Sequence, residues 1–262
     1  MPSPPGASFD VGSLQVQYYG VCVLLGFLLW VFVTARMWRR GGGDAIDAAW
    51  ACLLAAPVAF IGARLYHVIT DYGLYSDDPS GIFDVAQGGL GIFGAIAGGV
   101  LALVVYANAR RWPTATFLDC AIVGVPLAQA LGRVGNYFNQ ELIGAPTNLP
   151  WGLPVDLLYR PLGYQGFTTF HPAFLYEAIL NLGIFVALGL LWRPLHDRFR
   201  PGCMVGAYLI LYGIVRLLVE SLRIEPALEI GPFRLNMVIS FLIILTGVLI
   251  LMSADRKRPV RT

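Results

Sequence analysis

Three short stretches of this 262-residue chain place arginine, carboxylate and amide side chains at spacings that could unite them. The first runs Gly132-Arg133-Val134-Gly135-Asn136-Tyr137-Phe138-Asn139-Gln140-Glu141-Leu142-Ile143-Gly144. Arg133 and Asn136 are three apart and can share a helical face. Asn139 and Glu141 follow, and Gly144 permits close backbone approach or a positive-φ turn. A guanidinium beside amides suits a phosphate; the competing reading is an Arg–Glu pair that braces a loop. In the second stretch Tyr212, Arg216, Glu220 and Arg223 are spaced i, i+4, i+8, i+11, which makes one stripe of a helix. Two arginines to one glutamate leave positive charge, and that invites an anion; the alternative is an internal Arg–Glu–Arg ladder. The third stretch is Phe170-His171-Pro172-Ala173-Phe174-Leu175-Tyr176-Glu177, with Pro172 suited to a first helical turn. Here His171 reads as a cap or interfacial hydrogen-bonder and Glu177 as a tie between helices. Two single residues join the candidates for ligand contact. Arg64 could equally snorkel to a membrane surface, and Tyr19 could belong to an aromatic belt.

Several standard machineries are missing from the sequence. There is no H-E-x-x-H, no Gly-x-Ser-x-Gly and no Walker A, nor a cluster of aspartates fit for Mg²⁺ and a nucleotide headgroup. The only lysine is Lys257, so a Ser–Lys pair is not expected. The cysteines Cys22, Cys52, Cys120 and Cys203 form no C-x-x-C pair, three of them lie inside apolar runs, and they read as small buried thiols. No metal and no cofactor is expected.

The elements that must position these residues are set by composition. Apolar residues make up 57% of the chain and charged residues 13%, with a mean hydropathy of +0.67. An ordinary soluble domain carries about 25% charged residues. Too little polar surface remains to cover a water-soluble globule, which excludes soluble enzymes and disordered chains. The net charge of +2 is too mild to call for a polyanion, so no nucleic-acid partner is expected. The first 17 residues hold no Lys or Arg, so a cleavable leader is not expected either.

A membrane span needs roughly 20 apolar residues, and seven stretches qualify. They are Tyr19–Met37, Ala45–Thr70, Gly89–Ala107, Ala115–Leu131, Pro172–Trp192, Met204–Leu222 and Leu235–Met252. The fold class is therefore an all-α integral membrane protein, a seven-span helical bundle. Gly94-x-x-x-Gly98 in the third span suits close helix contact. Alternate connections hold Arg36, Arg39 and Arg40; Arg110 and Arg111; and Arg193, Arg198 and Arg200. The tail adds Arg256, Lys257, Arg258 and Arg261. By the positive-inside rule this side is cytoplasmic, giving N-out and C-in. Thr70–Ala86, with Asp71, Asp77, Asp78 and Asp84, then lies outside, as does a long excursion over 133–171 that reads as a small outer-face cap on a single polytopic domain of residues 1–262.

Topology accounts for twelve of the eighteen basic residues. The other six, Arg64, Arg133, Arg160, Arg216, Arg223 and Arg234, fall within spans or at their outer ends. A charge at mid-membrane costs about 2.5–3.5 kcal/mol even on the lenient insertion scale, so such residues face a protein interior and a partner.

On these motifs the chain resembles the prolipoprotein diacylglyceryl transferases. The resemblance rests on Gly132-Arg133-x-Gly135-Asn136-x-x-Asn139-x-Glu141-x-x-Gly144, then Pro146-Thr147 and Leu149-Pro150-Trp151-Gly152. It also rests on His171-Pro172-x-x-Leu175-Tyr176-Glu177, on Arg216-x-x-x-Glu220-x-x-Arg223 and on Arg234-Leu235-Asn236, and it covers essentially the whole chain. It implies transfer of the diacylglyceryl group of phosphatidylglycerol to the lipobox cysteine of a prolipoprotein signal peptide, giving a thioether and glycerol phosphate. It implies phosphatidylglycerol binding at Arg133 and an essential role for Arg216. Asn136, Asn139, Gly144, Tyr19, Arg64, Tyr212 and Arg223 are the further binding candidates, and Glu141, Glu220 and His171 the candidate bases. The expected setting is the bacterial plasma membrane among its lipids, as a monomer with its active site on the outer face. One departure stands out: many relatives carry His in a G-G-x-x-x-H-G-G context, and Phe93 occupies that position in Gly88-Gly89-Leu90-Gly91-Ile92-Phe93-Gly94-Ala95. The rival reading is a transporter or flippase-like binder of an anionic lipid or solute. It would require polar residues to continue toward the cytoplasmic half.

Overall fold

A computed structural model of the chain describes residues 1–75, 79–83, 89–198, 200–224 and 229–253. Among these, seven α-helices are long and apolar enough to cross a membrane. They are α1 (Tyr18–Arg40), α2 (Ala45–Thr70), α3 (Ile92–Ala109), α4 (Thr114–Phe138), α5 (Ala173–Arg198), α6 (Cys203–Glu220) and α7 (Leu235–Ser253). Large apolar side chains such as Phe32, Ile61, Leu101, Leu190 and Leu242 point outward. That is the arrangement expected of helices whose outer solvent is lipid. Asp77, Asp78, Asp84, Gly88, Arg256, Lys257, Arg258 and Arg261 lie outside the described residues.

The helices occur where hydropathy placed them, and α2 has the expected bounds. Its start is fixed by Asp44, whose Oδ1 accepts from the amides of Ile46 at 2.7 Å and Asp47 at 3.0 Å. The main departure is α4. It continues past Leu131 to Phe138, so Arg133 and Asn136 stand on its last turns rather than in a connecting segment. Polar residues end a hydropathy run, but they do not end a helix whose polar face meets partners. The third span likewise begins at Ile92 rather than Gly89.

By internal contact the chain forms two compact units. One comprises Val31–Cys120 and the other Met1–Trp30 with Ala121–Thr262. In the Val31–Cys120 unit, α2 and α3 meet through glycine. A Cβ added at Gly94 would lie 2.1 Å from the Gly62 carbonyl oxygen, and one at Gly98 would lie 2.6 Å from that of Val58. In the other unit α6 and α7 do the same, a Cβ at Gly247 falling 2.7 Å from the Gly206 oxygen. Backbone-to-backbone approach at these positions leaves no flexible side chain to yield.

Among the described residues, three two-stranded antiparallel pieces accompany the helices. A hairpin of β1 (Ser8–Val11) and β2 (Leu14–Gln17) leads into α1 and turns at Gly12, whose φ is +65°. Between α4 and α5, β3 (Leu153–Pro154) pairs with β4 (Thr169–Phe170). Ile143, Leu153, Val155, Phe170 and Phe174 form a small apolar core beneath this segment. The last pair, β5 (Glu229–Ile230) and β6 (Phe233–Arg234), precedes α7.

Gly94→Ala should lower the thermal stability of the detergent-solubilised protein by about 1–3 kcal/mol, the usual cost of overpacking. Gly183→Ala on α5, where a Cβ meets nothing within 4 Å, should leave stability unchanged or slightly raised. Equal melting temperatures for the two variants would contradict the close α2–α3 approach.

Candidate active site

The centre of the site is a carboxylate. Glu177 lies early in α5 and is 1% exposed. Arg133 of α4 approaches it with Nε 2.9 Å from Oε1, and Arg216 of α6 approaches with Nη1 3.6 Å from Oε2. Neither is an aligned hydrogen bond, so the contacts are charge contacts. One buried anion thus holds two guanidiniums from two different helices. Both arginines keep some exposure, 27% and 15% of their side chains.

A second buried carboxylate, Glu220 at the end of α6, extends the cluster. Its Oε2 lies 3.1 Å from Arg216 Nη2 and 3.6 Å from Arg223 Nη1. Its Oε1 lies 3.3 Å from Arg234 Nε and accepts from Asn236 Nδ2 at 3.2 Å. Arg234 also donates to the backbone oxygens of Glu220 and Arg223, at 3.1 and 2.7 Å, which ties the start of α7 to the end of α6. The expected stripe needs one correction. Because α6 stops at Glu220, Arg223 belongs to the following turn and reaches back to Glu220 from there. Among the described residues four guanidiniums therefore gather on two buried carboxylates. The arrangement favours a further anion.

The segment after α4 adds amides. Arg133 Nη1 donates to Asn136 Oδ1 at 3.2 Å, and Asn136 Nδ2 donates to Glu141 Oε2 at 3.1 Å. Asn139 Nδ2 donates to the other oxygen of Glu141, also at 3.1 Å. Arg133 does not brace Glu141 directly; Asn136 stands between them. Gly144 works through its backbone, donating to the His171 carbonyl at 2.8 Å and bridging to Arg223. A Cβ there would lie 2.9 Å from His171 Cβ and 3.0 Å from the Leu222 oxygen, so the three segments can meet only at glycine. Tyr19 lies against α4, where a Cβ on Gly135 would approach its ring carbon Cδ2 to 2.8 Å. Tyr212 stacks on Tyr208, centroids 5.6 Å apart, and Tyr208 Oη donates to Gln129 at 3.1 Å. Asn181, fully buried one turn beyond Glu177, completes this polar seam.

Two further candidates have partners of their own. His171 Nδ1 lies 3.0 Å from Tyr176 Oη, which accepts from Trp151 Nε1 at 2.9 Å. Arg64 belongs to the Val31–Cys120 unit and does not snorkel. It is buried, with Nε, Nη1 and Nη2 bonded to the carbonyls of Ile82, Gly89 and Gly81 at 2.8, 2.9 and 2.6 Å. It binds backbone there. Phe93 occupies the same unit, early in α3, its ring 5.9 Å from that of Tyr66.

Comparison with known proteins fits this site. The family model described as prolipoprotein diacylglyceryl transferase matches residues 7–253. The chain belongs to the prolipoprotein diacylglyceryl transferase family. It is 40% identical to the phosphatidylglycerol–prolipoprotein diacylglyceryl transferase of Cutibacterium acnes, over 98% of this chain and 87% of the relative. It is 37% identical to phosphatidylglycerol–prolipoprotein diacylglyceryl transferase 2 of Streptomyces coelicolor, over 99% and 82%. The Bifidobacterium adolescentis enzyme of the first name is 36% identical, over 95% and 78%.

As a member of this transferase family the chain has a centre that motif reading only half located. Glu177 reads from the sequence as a tie between helices, but only the structure shows that the helices it ties are α4 and α6, through Arg133 and Arg216. Arg234 and Asn236 lay in a matching motif, but nothing in their spacing pointed to Glu220.

Glu177→Gln keeps the shape and removes the charge between two arginines. Deleting one partner of a buried pair costs about 3–5 kcal/mol. Thermal unfolding in detergent should show a loss of that order, whereas an unchanged transition would mean that the arginines do not depend on Glu177.

Proposed function

We propose that this chain transfers the diacylglyceryl group of phosphatidylglycerol to the lipobox cysteine thiol of prolipoproteins, the first step of lipoprotein maturation. The products are a thioether and glycerol phosphate. The observation that carries the reading is the pair Arg133 and Arg216, held on one buried carboxylate with donor capacity left over. The reaction expels a phosphate ester, whose developing charge needs preorganised donors. Arg133 and Arg216 supply them as rigid forks, with Asn136 and Asn139 as neutral neighbours. Arg223 and Arg234 hold the floor through Glu220, and Gly144, Tyr19 and Tyr212 shape the surroundings.

The thiol proton needs an acceptor. Ordinary cysteine has a pKa of about 8.5, and nearby cations lower it. Glu141, Glu220 and His171 are the candidates, and Phe93 removes the histidine that many relatives carry.

The family and the seven spans make the chain a multi-pass membrane protein. The arginine-rich connections support N-out and C-in topology in the plasma membrane. Residues 133–171, which open on the last turns of α4, then form the cap on the outer side. Donor lipid enters sideways and the signal peptide approaches along the membrane. We take the working unit to be a monomer.

The transporter alternative loses support from the course of the polar seam. Beyond Asn181 and Tyr208 the sequence toward the far helix ends is apolar over residues 182–192 of α5 and 203–207 of α6, and the one carboxylate on the corresponding stretch of α4 is Asp119. Asp47, the carboxylate at the opposite end of α2 from Arg64, is engaged locally by Tyr106 and Arg110.

Mass spectrometry of a lipobox peptide incubated with the pure protein and phosphatidylglycerol should show diacylglyceryl addition at the cysteine. Arg216→Lys should lose most of that activity, because a point charge replaces a bidentate fork. Near-normal transfer by Arg216→Lys would overturn the role given to Arg216, and an unmodified peptide with the unaltered protein would overturn the function.

A further inference from the structure

From the hydrogen-bond geometry of the candidate bases we infer that Glu141 is the general base that takes the proton of the lipobox thiol. This rests on the transferase reading above and settles what that reading leaves open.

The other carboxylates are committed. Glu220 has both oxygens engaged, by Arg216 and Arg223 on one and Arg234 and Asn236 on the other. Glu177 lies between Arg133 and Arg216. Each is therefore occupied by the guanidiniums around it. Both side chains are also closed to solvent.

His171 is set apart by its partners. Its Nδ1 meets Tyr176 Oη at 3.0 Å, and that oxygen accepts from the indole of Trp151 at 2.9 Å. Among the described residues its ring is bonded into this aromatic chain rather than to the arginines or to the amides that adjoin Arg133.

Glu141 differs on each count. It is exposed. Each oxygen accepts one amide proton, from Asn139 and from Asn136, and keeps lone-pair capacity. Its place is fixed by backbone rather than by counter-charge: Gln140 and Leu142 on either side adopt φ of +53° and +55°. Side chains other than glycine rarely take that conformation, and it is held here by Gln140, whose amide clasps Asp156 at 2.6 and 2.8 Å. Asn136 also accepts from Arg133, so one amide separates the base from the guanidinium assigned to the leaving phosphate.

The step balances as follows. The thiol proton passes to a Glu141 oxygen while the sulfur forms its bond to the glyceryl carbon esterified to phosphate. The carbon–oxygen bond breaks with its electron pair going to the phosphate oxygen, and glycerol phosphate leaves. Glu141 then returns the proton to the departing phosphate or to water.

The test compares unaltered enzyme and E141Q on two lipobox peptides, one with cysteine and one with selenocysteine, across pH. A selenol is already ionised near neutrality and needs no base. On the thiol peptide at pH 7, E141Q should lose about 10²–10⁴-fold, with the deficit shrinking as pH rises toward about 8.5. On the selenol peptide the deficit should nearly vanish. E177Q serves as comparator, with an equal loss on both peptides at every pH. If E141Q does not fold, E141D is read in the same way, and a set-back carboxylate should lose more on thiol than on selenol. A deficit equal on both peptides and flat with pH, or no deficit, would overturn the proposal. An unaltered enzyme that modifies neither peptide would instead overturn the function on which it rests.

Discussion

The site depends on one buried carboxylate with two arginines on it. Arg133 and Arg216 come from helices distant in sequence, and like charges brought together in a low-dielectric interior repel. Glu177 makes their approach affordable by lying between them on a third helix. α4, α5 and α6 are in this sense tied at one point by charge as well as by packing. Without that anion the two guanidiniums would diverge toward solvent or toward other carboxylates, and the paired forks proposed to receive a phosphate would be lost. Glu220 repeats the device one helical turn along from Arg216 and fastens the end of α6 to the start of α7 through Arg234 and Asn236.

The backbone around this cluster answers to the same requirement. Gly144 lets the segment after α4 lie against both His171 and Leu222, where any side chain would push them apart. Gly135 lets Tyr19 close on α4 one residue from Asn136. The small apolar core around Phe170 and Phe174 anchors the segment between α4 and α5 at its far end. Glycine supplies close approach here, while the left-handed turns beside Glu141 are made by Gln140 and Leu142. Those two residues are held there by the surrounding structure, against their own preference.

That contrast explains what the sequence could convey. Spans were legible because hydropathy is a sum over some twenty positions and tolerates local exceptions. The glycines of α3 were legible as a contact because small residues at four-residue spacing have few other uses in lipid. The end of α4 was not, since Arg133 and Asn136 look like the start of a loop until Glu177 is seen opposite. Periodicity assigns a residue to a face of its own helix and says nothing of which helix it meets. Arg64 shows the same limit. A charged residue near a span end has a surface reading and a site reading, and neither foretold its bonds to three loop carbonyls. Nothing in Glu141-Leu142 announces a left-handed turn, because such turns are normally read from glycine or asparagine.

The two buried carboxylates also bear on why the cluster is built with so much charge. Arginines alone would present more positive potential to a lipid phosphate, but they would be mobile, and each would have to be oriented when the lipid arrives. Carboxylates reduce the net charge and fix the direction of each fork beforehand. Burying such pairs is seldom a gain in stability, since desolvation offsets much of the attraction. The return is preorganisation: donors already aimed at the oxygen where charge develops need no rearrangement during the reaction. This division leaves Glu177 and Glu220 as orienting anions. A carboxylate that must gain and lose a proton has to stand outside the ring of guanidiniums yet within reach of it, and Glu141, separated from Arg133 by the single amide of Asn136, occupies such a position.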